Sequence, residues 1–94
     1  MEEGLEILFI VQGKFRKKPT KETGAEAGKL FEQLVNEGIT FKGQYWTLGR
    51  YDTIAIFEAK DEKTLMKALL RFGDIQSTET PVAVSREEAI NLVE

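Results

Sequence analysis

The side chains best suited to chemistry crowd one short stretch. Tyr45, Trp46, Arg50, Tyr51 and Asp52 fall together, and Glu79 stands alone further on. Arg50 has the planar fork that grips a carboxylate or phosphate through two hydrogen bonds. Asp52 can orient a ligand or take a proton, and the three aromatics have apolar bodies with polar tips. The same residues also make a plain turn. In that reading Gly49 takes a positive φ, Asp52 accepts from nearby backbone N–H groups, and Arg50 pairs with a carboxylate. Glu58 and Glu79 sit on predicted strands, where an exposed carboxylate blocks edge pairing and a buried one with a raised pKa serves as acid or base. A second charged feature lies earlier: Lys14, Arg16, Lys17, Lys18 and Lys21 form a basic run that would draw an acidic ligand, or is simply a solvated loop. Phe15 is the only aromatic beside it, which gives base stacking little support.

What is missing narrows the chemistry further. The chain has no Cys and no His. Disulfide scaffolds, zinc fingers, thiol nucleophiles, Ser-His-Asp triads and histidine proton shuttles are therefore excluded. No phosphate-binding loop, dinucleotide fingerprint or metal-ligand cluster appears, so neither a metal nor a cofactor is expected. Any acid–base work would fall to Tyr, Asp or Glu.

With 94 residues, 41% of them hydrophobic and 31% charged, the chain is expected to form one domain over residues 1–94. The net charge of -3 argues against a dedicated nucleic-acid binder. The apolar run from Ile7 to Val11 is far too short for a membrane span. Met1-Glu2-Glu3 is acidic where an export signal would be positive, so a cytoplasmic protein is expected.

The elements that must position these residues follow from periodicity. Leu5 to Gln12 is rich in β-branched and aromatic residues and predicts a strand that is apolar on both faces. Gly13 to Thr20 reads as a loop because Pro19 disfavours helix at Lys18 and the cations repel. Thr23-Gly24-Ala25-Glu26 fits a capping box, and Ala27, Leu30, Phe31, Leu34 and Val35 form one helical stripe closed by Gly38. Ile39 to Leu48 alternates, with Ile39, Phe41 and Tyr45 opposite Lys42, Gln44 and Trp46. Gly49 to Asp52 then turns into Thr53–Ala59, a second strand apolar on both faces. Asp61 caps a helix carrying Leu65, Leu69 and Phe72, widened by Met66 and Leu70 and ended by Gly73. Ile75 to Val84 contains Pro81 and predicts an edge strand. Ser85-Arg86-Glu87-Glu88 opens a short terminal helix with Ala89, Ile90 and Val93.

The order β-α-β-β-α-β plus a tail helix is an α+β, ferredoxin-like arrangement with a four-stranded antiparallel sheet. Its first and third strands are central, in agreement with the two strands apolar on both faces. Two helices cover one sheet face, and the other calls for a second copy, giving a homodimer through the open face. Tyr45 and Trp46 point to opposite faces, so one faces the helices and the other the dimer interior. Pro81 and Glu79 guard the edge against open-ended stacking into a higher oligomer.

Tyr45-Trp46-Thr47-Leu48-Gly49-Arg50-Tyr51-Asp52, with the strand that follows, resembles the GYD-domain family, named for a Gly-x-Tyr-Asp turn that here is Gly49 to Asp52. Ser77-Thr78-Glu79-Thr80 resembles the fourth strand of that family. The resemblance spans roughly Leu5 to Glu88 and implies a ferredoxin-like domain similar to the dimeric α/β-barrel superfamily, whose members include small monooxygenases, isomerases and haem enzymes. The absence of His departs from the haem enzymes. The family has no established activity. Three readings therefore stand: a dimeric protein that binds a small anionic or aromatic ligand near the hairpin, with Tyr45, Trp46, Arg50, Tyr51, Asp52 and Glu79 as candidates; a cofactor-free isomerase or monooxygenase; and a nucleic-acid-associated module using residues 14–21.

Overall fold

The computed structural model describes residues 6–93, so Leu5 and the acidic N-terminus lie outside the described residues. Its elements in chain order are strand β1 (Ile7–Phe15), helix α1 (Lys21–Asn36), strands β2 (Thr40–Trp46) and β3 (Thr53–Ala59), helix α2 (Glu62–Leu69), strands β4 (Gln76–Glu79) and β5 (Val82–Ala83), and helix α3 (Arg86–Ile90). A 3₁₀ turn, Leu70–Phe72, extends α2. All strand pairs are antiparallel, in the order β2-β3-β1-β4, with β5 also on β1. This is the expected ferredoxin-like sheet, with β1 and β3 central.

Alternation along the central strands assigns the two faces. Phe9 and Val11 of β1 and Ala55, Phe57 and Ala59 of β3 are buried, and they share one core with Leu34 of α1, Leu65 and Ala68 of α2, and Phe72. Phe31 sits at the centre of an aromatic cluster, with ring centroids 5.1 Å from Phe41, 6.1 Å from Phe57 and 5.3 Å from Phe72. The opposite parity places Leu8, Ile10, Ile54 and Ile56 on the other face, half-buried, with Ile10 directly across from Ile56.

Three expectations change in detail. Gly13 to Phe15 is strand rather than loop, because β4 pairs along it from Gln12–Glu79 to Phe15–Gln76. Helix α1 starts a turn early: the Thr20 hydroxyl, not that of Thr23, accepts from the backbone N–H of Thr23, and Gly24 N–H bonds the Thr20 carbonyl at 3.0 Å. The predicted edge strand is cut in two at Thr80–Pro81. Pro81 donates no bond to the ladder, yet its carbonyl accepts from Ile10 N–H at 3.0 Å and holds both pieces on β1. Asp61 and Ser85 cap α2 and α3 as expected, and Gly38 closes α1 at φ 94.

Candidate functional site

The turn residues divide between fastening the hairpin and facing the two sides of the sheet. Gly49 has φ 135, a conformation that side chains other than hydrogen rarely adopt. Asp52 N–H donates to the Gly13 carbonyl at 2.8 Å, and the Asp52 carboxylate accepts from Phe15 N–H at 2.8 Å. Asp52 thus extends the β3–β1 ladder and then satisfies a donor at its end with its side chain. The partner is remote in sequence, not the neighbouring backbone that the turn reading supposed. The Arg50 guanidinium lies 5.8 Å from the Tyr51 ring centroid, a cation–π contact at an exposed site, and makes no ion pair among the described residues. Tyr51 donates its hydroxyl proton to the Glu79 carboxylate. That hydrogen bond, aided by partial desolvation and the charge of Glu79, raises the phenol above its ordinary value of 10.0, while Arg50 pulls it the other way. The two stretches that carry the family resemblance, Gly49–Asp52 and Thr78–Thr80, therefore meet in one contact.

Tyr45 pairs with Ile54 and lies on the open face, 61% exposed. Trp46 pairs with Thr53 on the helix side, and its ring meets Phe15 edge-on at 5.0 Å. The two do face opposite ways. Tyr45, Tyr51 and Glu79 are consequently separated from Trp46 by the sheet. Lys42 pairs with Glu58, at 4.0 Å, and not with Glu79.

A cleft of about 170 Å³ opens between α1 and the sheet, walled by Phe15, Trp46, Phe31 and Ile75 and by Thr23, Gly24, Ala27 and Gly28 of α1. Gln44 and Gln76 form its polar floor. A smaller space of about 20 Å³ beneath shares Phe31, Gln44 and Gln76 as walls and adds Thr53 and Thr78. It is large enough for one water. The register explains this polar band. Trp46, Thr53, Gly13 and Thr78 stand abreast across the four strands on the helix side, flanked by Gln44 and Gln76. The glycine is required. A Cβ on Gly13 would lie 2.1 Å from Gln76 Oε1 and 2.8 Å from Thr53 Oγ1, so only glycine lets Gln76 cross β1 toward Thr53. Thr53 is buried, and its hydroxyl reaches Gln76 Oε1 at 3.5 Å. Sequence reasoning missed Gln44, Thr53, Gln76 and Gly13. Its available signal was Gln44, a polar side chain on the same parity as Trp46.

A larger groove of about 570 Å³ runs between α2 and β4, with Leu65, Met66, Leu69 and Leu70 along one wall. Among the described residues no group of acidic side chains could hold a metal, and no helix is long and apolar enough to cross a membrane.

The model of the GYD domain matches residues 9–93. The chain belongs to the GYD-domain family. Solved structures that resemble this GYD chain confirm the ferredoxin-like fold. LrpC of B. subtilis aligns with TM-score 0.63 at 14% identity, covering 88% of this chain and 54% of LrpC, so the GYD chain spans about half of that protein. TTHA0845 from Thermus thermophilus aligns with TM-score 0.53 at 23% identity over 84% of this chain and 94% of that one. SnoaB, a cofactor-independent oxygenase from Streptomyces nogalater, aligns with TM-score 0.54 at 15% identity over 87% and 94% respectively. At these identities the likeness is one of fold. No protein of curated function matches the sequence.

Proposed function

We propose that this GYD protein is a homodimer whose subunits each bind a small molecule in the cleft between α1 and the sheet, beside the β2–β3 hairpin. One observation carries the reading: a polar band of Gln44, Thr53 and Gln76 interrupts an otherwise apolar helix-facing surface, directly beneath a cleft edged by Phe15 and Trp46. Polar groups inside a core cost stability unless paired, and a few convergent ones in an apolar cleft are the usual signature of a ligand site. The dimer is supported by the apolar open face, where Leu8, Ile10, Ile54 and Ile56 are left beside an exposed Tyr45.

Binding is favoured over catalysis by the residues around the cleft. They are amides, one threonine hydroxyl, aromatics, glycines and aliphatic side chains, and none of them is an acid or a base. The acid–base pair Tyr51–Glu79 lies across the sheet from them. SnoaB, a cofactor-independent oxygenase of similar fold, keeps the cofactor-free enzyme as the second reading.

The test is native mass spectrometry followed by denaturing mass of the same sample, on the wild type and on Gly28→Leu. A Cβ on Gly28 meets open space, so a leucine there fills the cleft, and removing a helical glycine favours the helix. A dimer carrying extra mass that vanishes on denaturation, and that is lost in a folded Gly28→Leu, is expected. An adduct retained by Gly28→Leu would put the ligand elsewhere, and a wild-type monomer would end the dimer reading.

A further inference from the structure

The basic run of residues 14–21 is two sets of cations with different duties. Lys14 Nζ donates to the Arg50 carbonyl at 3.0 Å, and Arg16 Nε donates to the Gly73 carbonyl, so these two brace the hairpin and the end of α2. Lys17, Lys18 and Lys21 are exposed and have no carboxylate partner among the described residues. The ion pairs that do form among the described residues, Lys42–Glu58 and Arg71–Glu37, lie on other elements. Scarcity of acid is not the reason, since the chain has 16 acidic residues against 13 basic ones.

These three cations flank lining residues of the cleft in the chain without lining it themselves. Lys17 and Lys18 lie between Phe15 and Pro19, and both of those line the cleft. Lys21 precedes Gly24, another lining residue, by one helical turn and so shares its face of α1. Three cations within five residues of chain repel one another, and an anion bound between them relieves that repulsion. The walls below the mouth are aromatic and the floor is amide, which suits a flat body that can accept or donate one hydrogen bond.

We infer that the ligand of this cleft is a small planar molecule bearing one anionic group, a carboxylate or phosphate, whose charge is read by Lys17, Lys18 and Lys21. The inference rests on the cleft reading and adds the chemical class of the ligand.

Trp46 is the only tryptophan and lines the cleft, so its fluorescence reports occupancy. The experiment titrates the dimer with benzoate and with its neutral isostere benzamide at low salt. Three proteins are compared: wild type, the triple variant Lys17→Gln/Lys18→Gln/Lys21→Gln, and Gly28→Leu. Benzoate is expected to bind about tenfold more tightly than benzamide to wild type, with the advantage fading as salt is added. In the triple variant the two should bind alike, with benzamide unchanged, and Gly28→Leu should bind neither. Equal affinity of the two probes for wild type would overturn the anion inference and leave the cleft standing. Binding of neither, or undiminished binding to Gly28→Leu, would remove the cleft reading and this inference with it.

Discussion

Asp52 shows how a residue that looks catalytic can be explained by backbone arithmetic. The end of β1 leaves Phe15 N–H pointing past the start of β3, in a part-buried place, and the Asp52 carboxylate takes that bond at 2.8 Å. An unpaired buried donor costs more than an average hydrogen bond contributes. Asp52→Ala should therefore lower unfolding stability by about 1–3 kcal/mol. Asp52→Asn, which keeps an acceptor oxygen, should retain most of it. Urea unfolding measures both, and equal losses would show that the charge, not the acceptor, is what the turn requires. Tyr51 and Arg50 follow the same logic, since one holds β4 through Glu79 and the other lies on the tyrosine ring. The sequence revealed that these residues belong together, but not the division of labour. Two of their partners, Phe15 N–H and Glu79, are 37 and 28 residues away. Gly13 was hidden for a similar reason: the atoms that demand glycine there belong to Gln76 and Thr53.

At the scale of elements, periodicity read the fold well wherever one element faced a core. Strands β1 and β3 announced their central places by being apolar on both parities, and α2 by its stripe and its Asp61 cap. Ends were less legible. Thr20 and Thr23 both precede the stripe of α1, and Thr23 has a glutamate three residues on, which favours it by local pattern. Thr20 wins because starting there adds a turn, including the Gly24–Thr20 backbone bond, while Thr23 turns its hydroxyl to within 2.9 Å of that of Thr20. That extra turn also lays Thr23 and Gly24 along the cleft. Thr20→Ala should consequently cost about 1 kcal/mol. Thr23→Ala, which leaves the accepting oxygen in place, should cost clearly less. A capping box at Thr23 would give the reverse order in the same denaturation series.

For the whole molecule the deciding quantity is the sheet face that α1 and α2 leave uncovered. A chain this short buries only roughly 60–65% of its unfolded surface on folding alone, so an apolar sheet face left to water is a substantial fraction of what remains. The register sets Ile10 against Ile56 at its middle, with Lys14 and Lys42 and the carboxylates Glu58 and Glu79 at the margins. A two-fold axis through such a face would bury the isoleucines against themselves and bring charges of opposite sign together at the rim. The proposed dimer then has a specific failure point. Ile56→Lys, and separately Tyr45→Lys at a position already 61% exposed, should give folded monomers in light scattering, with far-ultraviolet circular dichroism unchanged. Met66→Lys supplies the contrast. Met66 is equally exposed at 62% but lies on α2 beside the larger groove, so the dimer should survive it. Monomers from Met66→Lys alone, with Ile56→Lys still dimeric, would move the interface from the sheet face to the α2 groove. The cleft under α1 lies on neither surface, so the triple lysine variant should remain dimeric in the same measurement.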